Sequence, residues 1–143
     1  MSLKSCFRDR LTVGVAVLLS GLTLILTACA STGGMRVEPL DTGVLREFNG
    51  DYATVLRAAR NAVTAAGLAI DSYQEVNDST AVIVAKKEAS AWSWGELVRV
   101  VVQKSTDDRV GVRVLTRRKL ATNITAKGDY SETIFSNIDL ALR

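Results

Sequence analysis

The sequence predicts an α+β domain: one antiparallel sheet of four to five strands with two helices packed on one face, in the order β-α-β-β-β-β-α. Three observations carry this. Beyond residue 44, apolar runs of strand length come in pairs around short polar turns, which is the mark of hairpins. Two segments with helical periodicity bracket those runs. The second hairpin alternates valine with arginine, glutamine and glycine, so one sheet face reads as apolar and the other as wet, and only one face calls for helical cover.

The residues before the domain have a different character. Lys4, Arg8 and Arg10 form a basic start, and residues 11–28 then run without a charge, in the layout of a secretory signal. The run nearly reaches the ~18 apolar residues of a spanning helix, so a retained N-terminal helix is the alternative. The end of the run, Leu26-Thr27-Ala28-Cys29, resembles the lipobox of bacterial lipoproteins. The resemblance implies cleavage after residue 28 and acylation of Cys29, with Ala30 in the following position pointing to the outer membrane. Two or more acyl chains on one residue suffice for stable anchoring without a span. The expected organisation is a signal peptide at 1–28, a lipidated N-terminus and flexible tether at 29–43, and a periplasmic α+β domain at 44–143. Cys6 would leave with the signal, so no disulfide is expected within one mature chain.

The tether, "ASTGGMRVEPLDT", holds Gly33, Gly34 and the single proline, Pro39, and has little to bury. Fully extended, a dozen residues reach roughly 40 Å. "VLREFNG" is a short strand closed by Asn49-Gly50. "DYATVLRAARNAVTAAG" places Tyr52, Val55, Leu56, Ala59, Ala62, Val63 and Ala66 on one helical stripe, with Asn49 or Asp51 as cap and Gly67 just past the end. "LAIDSYQEV" and "TAVIVAKKEA" flank the turn Asn77-Asp78-Ser79. "GELVRVVVQK" and "RVGVRVLTRRK" flank residues 105–108. Val98, Val100, Val102, Val110, Val112 and Val114 are assigned to the apolar face, and Arg99, Gln103, Arg113 and Arg117 to the wet one. The last helix, "GDYSETIFSNIDLALR", carries Ile134, Phe135, Ile138 and Leu142 on one stripe, with Asp129 and Glu132 spaced as a capping box.

From about residue 44 to 142 the chain resembles the small lipoprotein domains of Gram-negative envelopes, through "AARNAVTAAGLAI", "WGELVRVVV" and "YSETIFSNI". Its architecture is also similar to the helix-grip domains of BamC, the accessory lipoprotein of the outer-membrane barrel-assembly machinery. The resemblance implies a fold and a compartment, and no activity.

Composition removes several function classes. There is no histidine, so neither a Ser-His-Asp nor a Cys-His arrangement can form, and no phosphate-binding glycine loop appears. The formal charge of +3, from 18 Lys and Arg against 15 Asp and Glu, falls to about +1 once Lys4, Arg8, Arg10 and Asp9 leave with the signal, which gives no electrostatic case for nucleic acid. Asp107-Asp108 reads as turn chemistry. Two features remain as contact candidates. Trp92 and Trp94, two apart in "SAWSWGE", would point the same way in an extended segment, either plugging the core or gripping a partner. Arg117, Arg118 and Lys119 form a basic cluster, either a solvated strand end or a site for an anionic group. The expectation is a noncatalytic, lipid-anchored accessory or scaffolding module of an outer-membrane complex. The alternative is a carrier or sensor of an envelope lipid or glycan. The expected partners are the membrane and another envelope protein, and no metal, cofactor or small-molecule ligand is called for.

Overall fold

A computed structural model of the protein describes residues 31–88, 95–119 and 128–143. Within these lie strands β1 (Val44–Asn49), β2 (Ala69–Asn77), β3 (Thr80–Lys87), β4 (Glu96–Lys104) and β5 (Arg109–Arg118), and helices α1 (Thr32–Val37), α2 (Tyr52–Ala65) and α3 (Ser131–Ala141). The strands form one open antiparallel sheet in the order β1-β5-β4-β3-β2. Strands β2 to β5 are a meander, and β1 pairs with its last member. The connection from β1 to β2 must therefore cross the whole sheet, and α2 makes that crossing while α3 packs beside it.

The helix-covered face follows the alternation in the sequence. Val100 lies opposite Val114 and Val102 opposite Val112, and all four are buried against Val55, Ala59, Ala62 and Val63 of α2 and Ile134, Phe135 and Ile138 of α3. The small alanine side chains let α2 approach the sheet closely, and Phe135, its ring tilted against that of Phe48 at 6.0 Å, fills the space beneath α3. Asp51 caps α2 by accepting from the Thr54 amide at 3.0 Å, and that hydrogen bond holds its carboxyl below the usual carboxylate range. Past the end of α2, Gly67 takes φ 75°, the left-handed conformation that lets the Leu68 amide return to the Val63 carbonyl.

The start of α3 departs from the capping box. Asp129 accepts from the amide and hydroxyl of Ser131 at 3.0 and 2.6 Å, and Tyr130 occupies the cap position without a side-chain bond. Glu132 turns away to Arg46 of β1, whose Nη2 donates to both carboxylate oxygens, at 3.0 and 3.1 Å. A strand arginine within reach outcompetes a backbone amide for a carboxylate, because the pair is doubly hydrogen-bonded and charge-assisted.

The second sheet face differs more. Read as wet, it carries a small apolar cluster of Val82, Val84, Leu97 and Val101, with Met35 of α1 seated on it. The segment assigned as a tether thus has something to bury: Met35 is 2% exposed, and the described folded unit extends back to Ser31. The sign of this was β3, where residues 80–85 are buried on both faces, as expected of a continuous apolar run and not of an alternating one.

Candidate functional site

Arg99 sits near the middle of β4 with an apolar residue on each side along the chain, and its side chain is 0% exposed. A buried guanidinium needs acceptors for its N–H groups, since an unpaired charge away from water is costly. It finds them in the backbone that passes over it. Nη1 donates to the carbonyls of Met35 (3.4 Å) and Glu38, and Nη2 to those of Pro39 (2.8 Å) and Thr42 (3.2 Å). Nε is buried and has no hydrogen-bond partner among the described residues. Burial pulls the Arg99 pKa below its ordinary value, and the nearby Glu38 carboxylate opposes that shift.

The segment supplies these carbonyls because of its local sequence. Ser31 caps α1, its hydroxyl accepting from the Gly34 amide at 3.0 Å. The helix then stops before Pro39, since the residue ahead of a proline disfavours helical backbone. Carbonyls left unpaired at that end point at Arg99, where a cation also matches the negative pole of the turn. The segment is held at three further points. Arg36 bonds Ser72 at 3.0 Å and Asp71 at 3.4 Å on β2, Arg117 of β5 reaches Glu38 at 3.4 Å, and Arg113 donates to the Gly43 carbonyl at 3.3 Å. Gly43 itself must be glycine: at φ 118°, an added Cβ would lie 2.4 Å from the Val114 carbonyl oxygen.

Beside α1, a shallow cleft of about 400 Å³ opens between Ser31 and Arg117, floored by Met35 and walled by Gly34, Val37, Glu38 and Pro39. Its rim is apolar on the α1 side, where Val37 is 84% exposed.

The basic cluster is divided by strand alternation. Arg117 projects to the face that carries α1, while Arg118 belongs to the opposite side of the strand, the side of Val114 and Thr116. The two guanidiniums therefore do not act as one fork. Lys119 is half-buried, its amide donating to the Gly95 carbonyl. Cys29, Trp92 and Trp94 lie outside the described residues, as does residues 1–28 as a whole. Asp107 pairs with Lys104 at 2.7 Å and Asp108 accepts from Thr106 at 2.8 Å, so both serve the β4–β5 turn. On the helix-covered face one buried polar pair stands out. Glu96 accepts from the Tyr130 hydroxyl at 3.0 Å and from the Gly128 amide at 3.3 Å, and burial followed by this bond pushes the Tyr130 pKa up to about 12.

Among the described residues no group of three or more Cys, Asp or Glu converges as a metal site, and no helix is long and apolar enough to cross a membrane. No family model matches the chain, and no curated protein matches it. Arg99, assigned from the sequence to the wet sheet face, is instead buried, and its role as a clamp was not read from the sequence. Its signal was position: an arginine inside "LVRVVV", next to a strand buried on both faces, has no solvent to reach.

Proposed function

We propose that the chain is a lipid-anchored envelope protein whose noncatalytic domain serves as an accessory or scaffolding module in an outer-membrane complex. The observation that carries this reading is the arginine clamp. A segment that begins two residues after the lipobox cysteine is fastened to the sheet by the buried Arg99, so an anchor at Cys29 would be coupled mechanically to the domain. A freely swinging tether would decouple the two. The packed interior favours this reading over a lipid carrier. The space between α2, α3 and the sheet is occupied by fully buried valine, alanine and phenylalanine side chains, which compete with any internal ligand.

The test is intact mass spectrometry of membrane-extracted protein beside a Cys29→Ser variant, with both then crosslinked in cells. An acylated mass starting at Cys29 is expected, with specific protein crosslinks that the variant loses. A full-length, unacylated mass would mean that residues 11–28 are retained as a membrane helix, and the anchoring step would fall. An acylated protein without specific crosslinks would remove the scaffold role.

A further inference from the structure

The face that carries α1 gathers three of the exposed apolar side chains near the point where the chain enters the domain. Val37 is 84% exposed, Leu40 37% and Leu45 50%. Val37 and Leu40 belong to the docked segment, and Leu45 joins them by strand alternation, three residues from the core-facing Phe48. The same alternation puts Arg113 and Arg117 of β5 on this side, opposite the valines at 110, 112 and 114. Arg117 shares Glu38, whereas the hydrogen bond of Arg113 goes to a neutral carbonyl, which leaves its charge available to an anion.

Where the chain continues decides what can cover this face. Ser31 lies at its cleft, and Cys29 is two residues upstream, so the two positions are at most about 7 Å apart. A lipid on Cys29 would therefore hold this face, and not the helix-covered one, within reach of the headgroups. We infer that the α1-bearing face rests on the bilayer, with Val37, Leu40 and Leu45 entering the interfacial layer and Arg113 and Arg117 meeting the phosphates of anionic phospholipid. The chemistry is that of an amphipathic surface: apolar groups bury a short way into the headgroup boundary while arginines stay at phosphate level. This inference rests on the reading of Cys29 as the lipid-bearing residue. It deepens that reading by giving the domain one orientation on the membrane.

The experiment uses the full chain, purified after membrane extraction and placed in vesicles of phosphatidylethanolamine and phosphatidylglycerol. Cys29 is the only cysteine left after signal removal and its sulfur would be occupied, so an introduced thiol labels uniquely. A fluorophore is attached at Val37→Cys, Leu40→Cys or Leu45→Cys, and for comparison at Arg57→Cys or Ser136→Cys, which are exposed on α2 and α3. Headgroup-nitroxide lipid is expected to quench the first three and spare the last two. Arg113→Gln with Arg117→Gln should lower the docked fraction relative to undocked by about fivefold per arginine, and phosphatidylcholine vesicles or added salt should act in the same direction. An acylated mass with equal quenching at all five positions would overturn the inference and leave the anchor standing. Quenching that ignores both the arginines and the lipid charge would overturn the phosphate contact. A mass without acylation would remove the anchor and the inference together.

Discussion

The two faces of the sheet are covered by different kinds of interaction, and an arginine on each makes the contrast concrete. On the helix-covered face the cover is apolar, and Arg46 stands at its rim, half-exposed, over the ring of Phe135 at 4.6 Å and paired with Glu132 and Asp139. On the other face, Arg99 is buried at the centre and bonded to backbone carbonyls of an irregular segment. Apolar packing is non-directional and draws on many side chains, so each contributes a share. A clamp built on one guanidinium concentrates four hydrogen bonds in a single residue, with Met35 and the contacts of Arg36, Arg113 and Arg117 as lesser supports.

The largest effect is expected on the first face. Phe135→Ala removes a fully buried ring from between α3 and β1 and should cost about 3–5 kcal/mol, lowering the urea midpoint of the whole domain. Arg99→Met comes next. It deprives the Met35, Glu38, Pro39 and Thr42 carbonyls of their donor, at about 1–3 kcal/mol for each that cannot reach water. The loss is limited by release of the segment, so we expect about 3 kcal/mol with a local signature: faster exchange at the Met35 and Thr42 amides and tryptic cleavage after Arg36, while α2 and α3 keep their protection. Global unfolding in Arg99→Met would break the comparison, since it would show that the two faces form one cooperative unit.

This difference also explains what was legible in the sequence. The valine alternation in β4 and β5, the helical stripe of α2 and both hairpin turns are local patterns, and each predicted element stands where its pattern placed it. The docking of residues 31–42 depends on carbonyl oxygens, which every residue carries and no composition reveals. Gly33, Gly34 and Pro39 read as a tether because they weaken regular structure. The same weakness lets the backbone turn its carbonyls toward Arg99 after one short helix. Glu132 was misassigned for a related reason: its spacing from Asp129 is a local fact, and Arg46 is 86 residues away in the chain.

A smaller effect tests the buried polar pair on the apolar face. Tyr130→Phe leaves Glu96 without its phenolic donor and should cost about 1–2 kcal/mol at neutral pH. The pH dependence has a definite sign. The Tyr130 pKa is raised from 10.0 to about 12, so folding favours the neutral phenol. That contribution is fully present below pH 10 and is lost as the pH rises through about 12. Urea midpoints followed over this window should fall more steeply in the native protein than in Tyr130→Phe. Parallel curves would mean that the pair does not hold Tyr130 neutral. Tyr73, also pushed up to about 12, by its bond to Glu75, is common to both proteins and drops out of the difference.

The smallest effect sharpens the contrast between the arginines. Arg46 and Glu132 are bonded at two short distances, yet the Glu132 side chain is 77% exposed, and water and salt compete for both charges. A double-mutant cycle with Arg46→Ala and Glu132→Ala should give a coupling of about 0.5 kcal/mol that vanishes in high salt. The loss in Arg99→Met should respond less to salt, because the Arg99 guanidinium is itself buried and its partners are neutral carbonyls. If instead the Arg46 coupling survived salt and approached the Arg99 value, burial could not be what separates the two. The weight of an arginine in this fold would then follow from its hydrogen-bond geometry alone.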